Sequence, residues 1–354
     1  MRLPRALCVA SKLVLVSIPV LILLPILLPS LIPTSLAGPA PVKPPAKPPT
    51  ASPETPPAPG PDAAFAAFQR GDFITAFSLA TRRVEDNNDV KAMTLLGELY
   101  SNGYGVPQND AKAAEWYKLA ADRGDSSAMF ALAMFRINGR AGPRDLDAGA
   151  KWLAAAAKLG NANAAYDLAL LYVEGQLFPQ DFARAAELLR TAAQAGSPDA
   201  QYALGTFYKE GRGVPKDMHQ AVQLWAQAAR ADNADAQVEY GIALFNGDGV
   251  ARDQQAAAAL FRKAALRGSA IAQDRFARVL ASGQGAQANP VEAVKWHLIS
   301  RASGETDLEL DAFMAKLDPD TRAAGEKAAK PWLDGMKAGQ TGREQQSQGL
   351  TAKP

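Results

Sequence analysis

The feature that most constrains this chain is a repeat of 36 residues, present in six consecutive copies without a gap. The copies start at Ala92, Ala128, Ala164, Ala200, Ala236 and Ala272, and the last one ends at Asp307. Self-similarity at such a period is typical of solenoids, in which each unit packs only on its neighbours. Although 354 residues would suffice for two or three ordinary domains, we predict one elongated domain over most of the chain.

Each copy carries the signals of two helices joined by a tight loop. A glycine stands eleven residues into every copy, and an Asn or Asp follows six residues later. The glycines are Gly103, Gly139, Gly175, Gly211, Gly247 and Gly283, and the Asn and Asp residues are Asn109, Asp145, Asp181, Asp217, Asp253 and Asn289. Glycine readily adopts the left-handed conformation that ends a helix, and Asn or Asp caps the first turn of the next one. The pattern predicts a first helix that ends at the glycine and a second helix that starts at the Asn or Asp.

A second set of signals ends the second helix and starts the next copy. Glycines would end it at Gly124, Gly160, Gly196 and Gly268, and the next first helix would be capped by Asp125, Asn161, Ser197, Asn233 or Ser269. Each copy is thus an αα-hairpin. One hairpin cannot bury both of its apolar faces, so successive hairpins must stack. Recurrent small residues five positions into each copy, at Gly97, Ala133, Ala169, Gly205, Gly241 and Ala277, indicate close approach of backbones. The predicted fold class is an all-α α-solenoid.

The first copy also carries a recognisable motif, AMTLLGELYSNGYGVPQNDAKAAEWYKLAADRG, from Ala92 to Gly124. Leu-Gly before Leu-Tyr, then Gly-x-Gly-Val, an Asn cap and Trp-Tyr before Ala-Ala resemble the Sel1-like repeat family, a relative of the tetratricopeptide repeat. The resemblance extends over 92–307, with departures at Ala141, Leu177 and Phe178 in the loops. It implies a right-handed superhelix of αα-hairpins that acts as a scaffold or regulator through protein contacts.

The repeats are flanked by segments with helical patterns of their own. Residues 62–91 are predicted to form a capping helix pair, with its turn at Gly71-Asp72. Residues 308–337 are predicted to form C-terminal capping helices, over Leu308–Lys316 and Asp320–Ala329. The polar segment 338–354 is predicted to be a disordered tail.

The N-terminal segment obeys different rules from the repeats. Basic residues precede an uncharged apolar run from Leu13 to Leu36, and Ser35-Leu36-Ala37 offers small residues where a signal peptidase reads. Two alternatives stay open for 1–37, a cleaved signal peptide or an uncleaved anchor. Residues 38–61 contain 11 prolines, a composition that favours an extended polyproline II linker. We therefore expect an exported protein, either periplasmic or anchored in the inner membrane with the repeats on the periplasmic side, and membrane contact only through an uncleaved N-terminal segment.

Composition limits the chemistry that this chain can perform. The formal charge of +2 gives no basic footprint for nucleic acid. Cys8 is the single cysteine, and His219 and His297 are the only histidines, so nucleophiles and metal ligands are scarce. The recurrent Asp residues are explained as helix caps, and the Gly-x-Gly pairs lack the strand that a dinucleotide loop requires. We predict no catalytic residue, no metal and no cofactor.

A stripe on the first helices is the candidate protein-binding site. It consists of the residues two, six and nine positions into each copy, which share one helix face. The predicted binding residues are Phe130, Met134, Ile137, Tyr166, Leu170, Val173, Tyr202, Lys209, Val238, Ile242 and Phe245. The ends of the stripe are polar, with Thr94, Glu98 and Ser101 in the first copy and Asp274, Arg278 and Ala281 in the last. Two interpretations stay open, a groove on the concave wall or packing between adjacent first helices.

These observations predict an exported protein-binding adaptor or regulator of a bacterial cell envelope. A signal sequence before such repeats is similar to the periplasmic regulators that restrain sensor kinases controlling exopolysaccharide, so a membrane sensor kinase or an envelope complex is a candidate partner. Two alternatives stay open. One is an accessory protein or enzyme of peptidoglycan or polysaccharide metabolism, which would need a cleft with paired carboxylates. The other is a purely structural spacer.

Overall fold

A computed structural model describes residues 63–351 of the chain, with side chains up to residue 338. The predicted signal segment or anchor, 1–37, and the predicted Pro-rich linker, 38–61, lie outside these residues. The described part forms 16 α-helices and no β-strand, in agreement with the predicted all-α solenoid. None of the helices in this part has the length and apolar character needed to cross a membrane.

The helices alternate between first and second helices of successive hairpins. Two helices precede the repeats, α1 (Ala63–Gln69) and α2 (Phe73–Asn87). The repeats contribute α3 (Val90–Asn102), α4 (Asp110–Ala121), α5 (Ser126–Asn138), α6 (Leu146–Lys158), α7 (Ala162–Glu174), α8 (Phe182–Gln194), α9 (Pro198–Glu210), α10 (Met218–Arg230), α11 (Ala234–Asn246), α12 (Gln254–Leu266), α13 (Ala270–Ser282) and α14 (Pro290–Ala302). Two further helices follow, α15 (Leu308–Lys316) and α16 (Pro319–Thr351).

The predicted helix caps are confirmed in every copy. The Asn or Asp before each second helix accepts a hydrogen bond from the backbone N–H three residues later, as Asn109 does from Lys112 at 3.0 Å. The six predicted terminating glycines are all left-handed, with φ between 69° and 86°. Each first helix begins two residues before the start of its copy, because its N-cap residue stands three residues before that start. Asp89, for example, immediately precedes α3 and accepts a hydrogen bond from the backbone N–H of Ala92.

Each second helix packs between the first helix of its own copy and the first helix of the next, and the core forms between them. Alanine fills much of this core, and larger buried side chains such as Tyr117, Leu153 and Trp225 occupy one equivalent position in successive copies. His297 stands at the same position in the last copy and is 2 % exposed, so it is a packing residue, as predicted.

The small residues predicted to allow close backbone approach accommodate an aromatic side chain instead in three copies. A Cβ atom added to Gly97 would lie 2.5 Å from the Tyr117 ring, one on Gly205 would lie 2.6 Å from Trp225, and one on Gly241 would lie 2.6 Å from Phe261. The copies with alanine at this position carry Leu153, Leu189 or His297 opposite it. Glycine is therefore present where a Phe, Tyr or Trp ring has to fit inside the hairpin, and alanine where the smaller Leu or His side chain lies opposite.

The loop glycines bring successive copies into backbone contact. Gly213 is left-handed, with φ 63°, and a Cβ atom there would lie 2.1 Å from the carbonyl oxygen of Phe182, the first residue of the preceding second helix. Gly105, Gly249 and Gly285 have equivalent contacts, with Phe73, Met218 and Gln254 respectively. In the second copy, Ala141 adopts the left-handed conformation with φ 58°, which strains a residue with a Cβ atom.

The C-terminal end differs from the prediction of two short helices and a disordered tail from residue 338. α16 continues to Thr351 without a break at Pro331. Its first half packs along α14, where Trp332 lies 5.3 Å from Trp296, and takes the place of a seventh first helix. Once a helix is anchored in this way, each further residue adds one backbone hydrogen bond, so the helix can extend beyond the part that packs on α14.

Candidate functional site

The structure places the predicted stripe, hereafter the first-helix stripe, at the boundary between core and solvent. Val238 is buried at 5 % exposure, and the other ten predicted binding residues are half-buried. Several pack partly against the core, namely Phe130, Ile137, Tyr166, Val173, Tyr202, Ile242 and Phe245. The stripe is thus held in place by packing and keeps part of its surface accessible.

Acidic side chains surround the two tyrosines of the stripe. Burial raises the pKa of Tyr166, and the neighbouring carboxylates of Asp199, Asp167 and Asp235 raise it further. Burial and the carboxylates of Asp235 and Glu239 raise the pKa of Tyr202 to about 12. The tyrosines therefore keep their hydroxyl protons at neutral pH, and the middle of the stripe is aromatic with an acidic border.

Lys209 is the one cation among the predicted binding residues. Its ammonium lies 2.7 Å from Oε2 of Glu239 in the next copy and 5.4 Å from the centre of the Trp225 ring. The side chain is thus tied to two neighbours, and it links α9 to α11. Lys209 therefore helps to hold adjacent first helices together, which supports the packing interpretation of the stripe. Its side chain is nevertheless 43 % exposed.

Asp167 is a carboxylate of the same surface without a partner. Burial alone raises its pKa to about 6. It makes no hydrogen bond or ion pair within the described residues. A group that titrates close to neutral pH on this surface was not foreseen from the sequence, because its burial depends on the neighbouring copies.

A cavity of about 510 Å³ lies at the C-terminal end of the first-helix stripe, and we call it the C-terminal cavity. Its apolar lining comes from Ile242, Phe245, Phe261, Val279, Leu310 and Phe313, and its charged lining from Arg275, Arg278 and Glu309. Two predicted binding residues, Ile242 and Phe245, and two residues of the predicted polar end, Arg278 and Ala281, thus meet in one site. The sequence feature that could have revealed this cavity is the short length of α15, which has 9 residues where a first helix has 13.

Arg278, which lines this cavity, forms ion pairs with three carboxylates. Arg278 Nε lies 2.5 Å from Asp307 Oδ2 and 3.5 Å from Asp274 Oδ2, and a terminal nitrogen of Arg278 contacts Glu309. Burial and the adjacent Asp307 carboxyl raise the pKa of Asp274 to about 6. Asp307 accepts hydrogen bonds from the backbone N–H groups of Glu309 and Leu310 and therefore caps α15.

A glycosidase needs two carboxyl groups that flank the substrate in a cleft. Asp274 and Asp307 instead contact the same guanidinium, with their Oδ2 atoms 3.5 and 2.5 Å from Arg278 Nε. The Asp307 side chain is only 2 % exposed. The sequence did not indicate this pair, and its contacts are those of a structural group.

The two histidines have local partners rather than catalytic ones. His297 Nε2 lies 2.8 Å from Asp311 Oδ1, and the exposed His219 contacts the Gly249 carbonyl oxygen and Gln223. Among residues 63–338 no group of three or more His, Cys, Asp or Glu side chains is arranged to hold a metal ion.

Comparison with known proteins identifies the repeat. The Sel1 repeat family matches six consecutive segments, 90–125, 126–161, 162–197, 198–233, 234–269 and 270–304, each of which begins at the first residue of a first helix. The chain belongs to the Sel1 repeat family. Sel1 repeat proteins are in general adaptors for protein–protein interaction, and the Sel1 repeat fold is typically a non-catalytic scaffold.

Solved structures of Sel1 repeat proteins are similar to this chain. A Sel1 repeat protein from Oxalobacter formigenes is 27 % identical with a TM-score of 0.61, and the match covers 68 % of this chain and 99 % of that one. The protective antigen c5321 of uropathogenic Escherichia coli, which displays the same fold, is 24 % identical with a TM-score of 0.50, over 77 % of this chain and 68 % of that one. No curated protein sequence matches the chain significantly.

Proposed function

We propose that this Sel1 repeat protein is an exported adaptor of the cell envelope that holds a protein partner on the first-helix stripe. The observation that carries the proposal is the half-buried row of aromatic and aliphatic side chains on α5, α7, α9 and α11. Side chains that are already held by packing lose little conformational freedom on binding, so their exposed parts are suited to a partner. Export and the envelope location are supported by the apolar segment and the linker of the sequence.

The chemistry of the stripe suits a folded or extended protein segment. Tyrosine is among the residues that contribute most at protein interfaces, and aromatic residues and methionine are enriched there. The acidic border would select a partner with basic side chains around an apolar centre. The candidate partners are a membrane sensor kinase or another envelope complex. Binding without catalysis is supported by the scarcity of reactive side chains and by the structural contacts of His297 and of the Asp274–Asp307 pair.

Affinity capture from envelope extracts tests the proposal. The Tyr166→Ala plus Leu170→Ala variant is compared with wild type, and the matched control is Leu159→Ala plus Leu266→Ala, which removes two exposed leucines at the ends of second helices. We expect the stripe variant to lose at least one partner that the wild type and the control both retain. If a folded stripe variant captures the same proteins at the same yield as wild type, the stripe is not the binding site.

Fractionation of the expressing cells tests the location. N-terminal sequencing of the mature protein distinguishes cleavage after Ala37 from an uncleaved anchor, because only the cleaved form starts at Gly38. Recovery of the protein with the N-terminal segment intact in the cytosolic fraction would contradict export.

A further inference from the structure

The C-terminal cavity exists because α13 is not followed by a full-length first helix. α15 has 9 residues and makes few contacts with α13 and α14, while α16 packs along α14 in its place. The space beside the second half of α13 is therefore left open, with Phe245 and Phe313 half-buried and Phe261, Val279 and Leu310 buried around it. Its volume of about 510 Å³ lies within the range of sites that hold a ligand.

Arg275 is an unpaired cation at the rim of this cavity. It is exposed and makes no hydrogen bond, ion pair or ring contact with any residue that the structure describes. The repeat explains why. In the preceding copy pair, Glu239 is paired with Lys209. One period of 36 residues further along the chain, Arg275 replaces Glu239 and Phe245 replaces Lys209. The repeat register thus places Phe245 opposite Arg275, where the preceding copy has an ion pair, and both residues line the cavity.

The second arginine of the cavity differs from Arg275 because its charge is already compensated. Arg278 is paired with Asp307, Asp274 and Glu309. An anionic ligand would therefore find one guanidinium without an ion pair, that of Arg275, in a cavity that also contains the Glu309 carboxylate. This arrangement suits a single carboxylate and disfavours a polyanion such as a nucleic acid.

We propose that the C-terminal cavity binds an internal segment of a partner protein in which a large apolar side chain is adjacent to an Asp or Glu. The apolar side chain enters the cavity between Phe245 and Phe313, and the carboxylate pairs with the guanidinium of Arg275. The cavity is continuous with the first-helix stripe through Ile242 and Phe245. The inference therefore rests on the proposed function and names the part of the partner that would occupy this end of the surface.

Selection from a library of random twelve-residue peptides displayed within a carrier protein tests the inference with full-length protein as bait. We expect enrichment of peptides with an aromatic or branched aliphatic residue next to Asp or Glu. Synthetic versions with both ends blocked are then titrated by fluorescence anisotropy. Arg275→Gln is expected to weaken binding about tenfold, while Arg262→Gln, which changes another exposed arginine, on α12, leaves it unchanged.

Two further comparisons separate a contact from a general charge effect. Replacing the acidic residue of the peptide with Gln should weaken binding to wild type about tenfold and have little further effect on the Arg275→Gln variant. Ala281→Trp places a large side chain in the cavity and should abolish binding, with an unchanged circular dichroism spectrum. Retention of affinity within twofold by Arg275→Gln, failure to enrich any such peptide, or unchanged binding to Ala281→Trp would each overturn the inference.

The stripe variant distinguishes this inference from the proposed function. Peptides that lose binding with Tyr166→Ala plus Leu170→Ala but bind Arg275→Gln normally would leave the proposed function standing and refute the cavity. Peptides that depend on Arg275 and not on the stripe residues would support the cavity and contradict the central part of the proposed surface.

Discussion

Lys209 on α9 and Glu239 on α11 form an ion pair of 2.7 Å, which shows that the tenth residue of one copy faces the fourth residue of the next. Because all copies have 36 residues, the same register applies to the other copies. It places Ile137 opposite Asp167 and Phe245 opposite Arg275. One register therefore gives an ion pair, a half-buried carboxylate without an ion pair and an exposed arginine without an ion pair, depending only on which side chains the copies carry.

The first prediction concerns the pH dependence of stability through Asp167. Its pKa is about 6 in the folded chain and 3.8 in the reference state, so the folded protein binds an extra proton between these values. The contribution of Asp167 to stability is therefore fully retained below pH 4 and lost as the pH rises through 6. Asp167→Asn should stabilise the protein at pH 7.5 by up to about 3 kcal/mol. It should also reduce the increase in the free energy of unfolding that wild type shows on acidification to pH 5. Urea unfolding at the two pH values measures both effects, and equal pH dependence in variant and wild type would contradict the prediction.

The second prediction tests the fit between glycine and aromatic ring. Gly205→Ala should destabilise the protein by about 1 to 3 kcal/mol, because the new methyl group overlaps Trp225. Adding Trp225→Leu should recover part of this loss, since Ala with Leu is the pair found in the second and third copies. The loss of unfolding free energy in the double variant should therefore be about 1 kcal/mol smaller than the sum of the losses in the two single variants, as measured by urea unfolding. Strict additivity would show that the ring and the glycine are not coupled.

The third prediction separates a steric overlap from backbone strain. Gly213 and Gly196 are both left-handed, but only at Gly213 would a Cβ atom meet another group, the Phe182 carbonyl oxygen. Gly196→Ala should cost about 1 to 2 kcal/mol from strain, and Gly213→Ala should cost clearly more. Thermal unfolding of the two variants provides the comparison, and similar melting temperatures would mean that the loop moves without penalty.

The fourth prediction removes strain from the second copy. Ala141 is left-handed with φ 58°, a conformation that glycine adopts freely. Ala141→Gly should therefore stabilise the protein by about 0.5 to 1 kcal/mol, because the relief exceeds the extra entropy of glycine in the unfolded chain. The matched control is Ala131→Gly in the middle of α5, which should be destabilising.

The sequence alone predicted those parts of the structure that depend on interactions between residues close together in the chain. Helix caps such as Asn109 and terminating glycines such as Gly103 act within a few residues, and the period then defines the stacking. The first-helix stripe could be located in the same way, but its half-burial depends on side chains from the adjacent copies. The C-terminal cavity was missed because it results from how α15 and α16 pack on α13 and α14, beyond the last copy.

The Gly205–Trp225 fit, like those of Gly97 with Tyr117 and Gly241 with Phe261, lies wholly inside one copy, whereas the contact of Gly213 with Phe182 joins copies through backbone atoms. A gene rearrangement that duplicates or deletes a whole copy would preserve every such internal pair, and a copy with glycine at this loop position would present the same backbone contact to its new neighbour. A break inside a copy could place an alanine opposite a tryptophan. The solenoid can therefore change length in units of 36 residues far more readily than it can exchange half-copies.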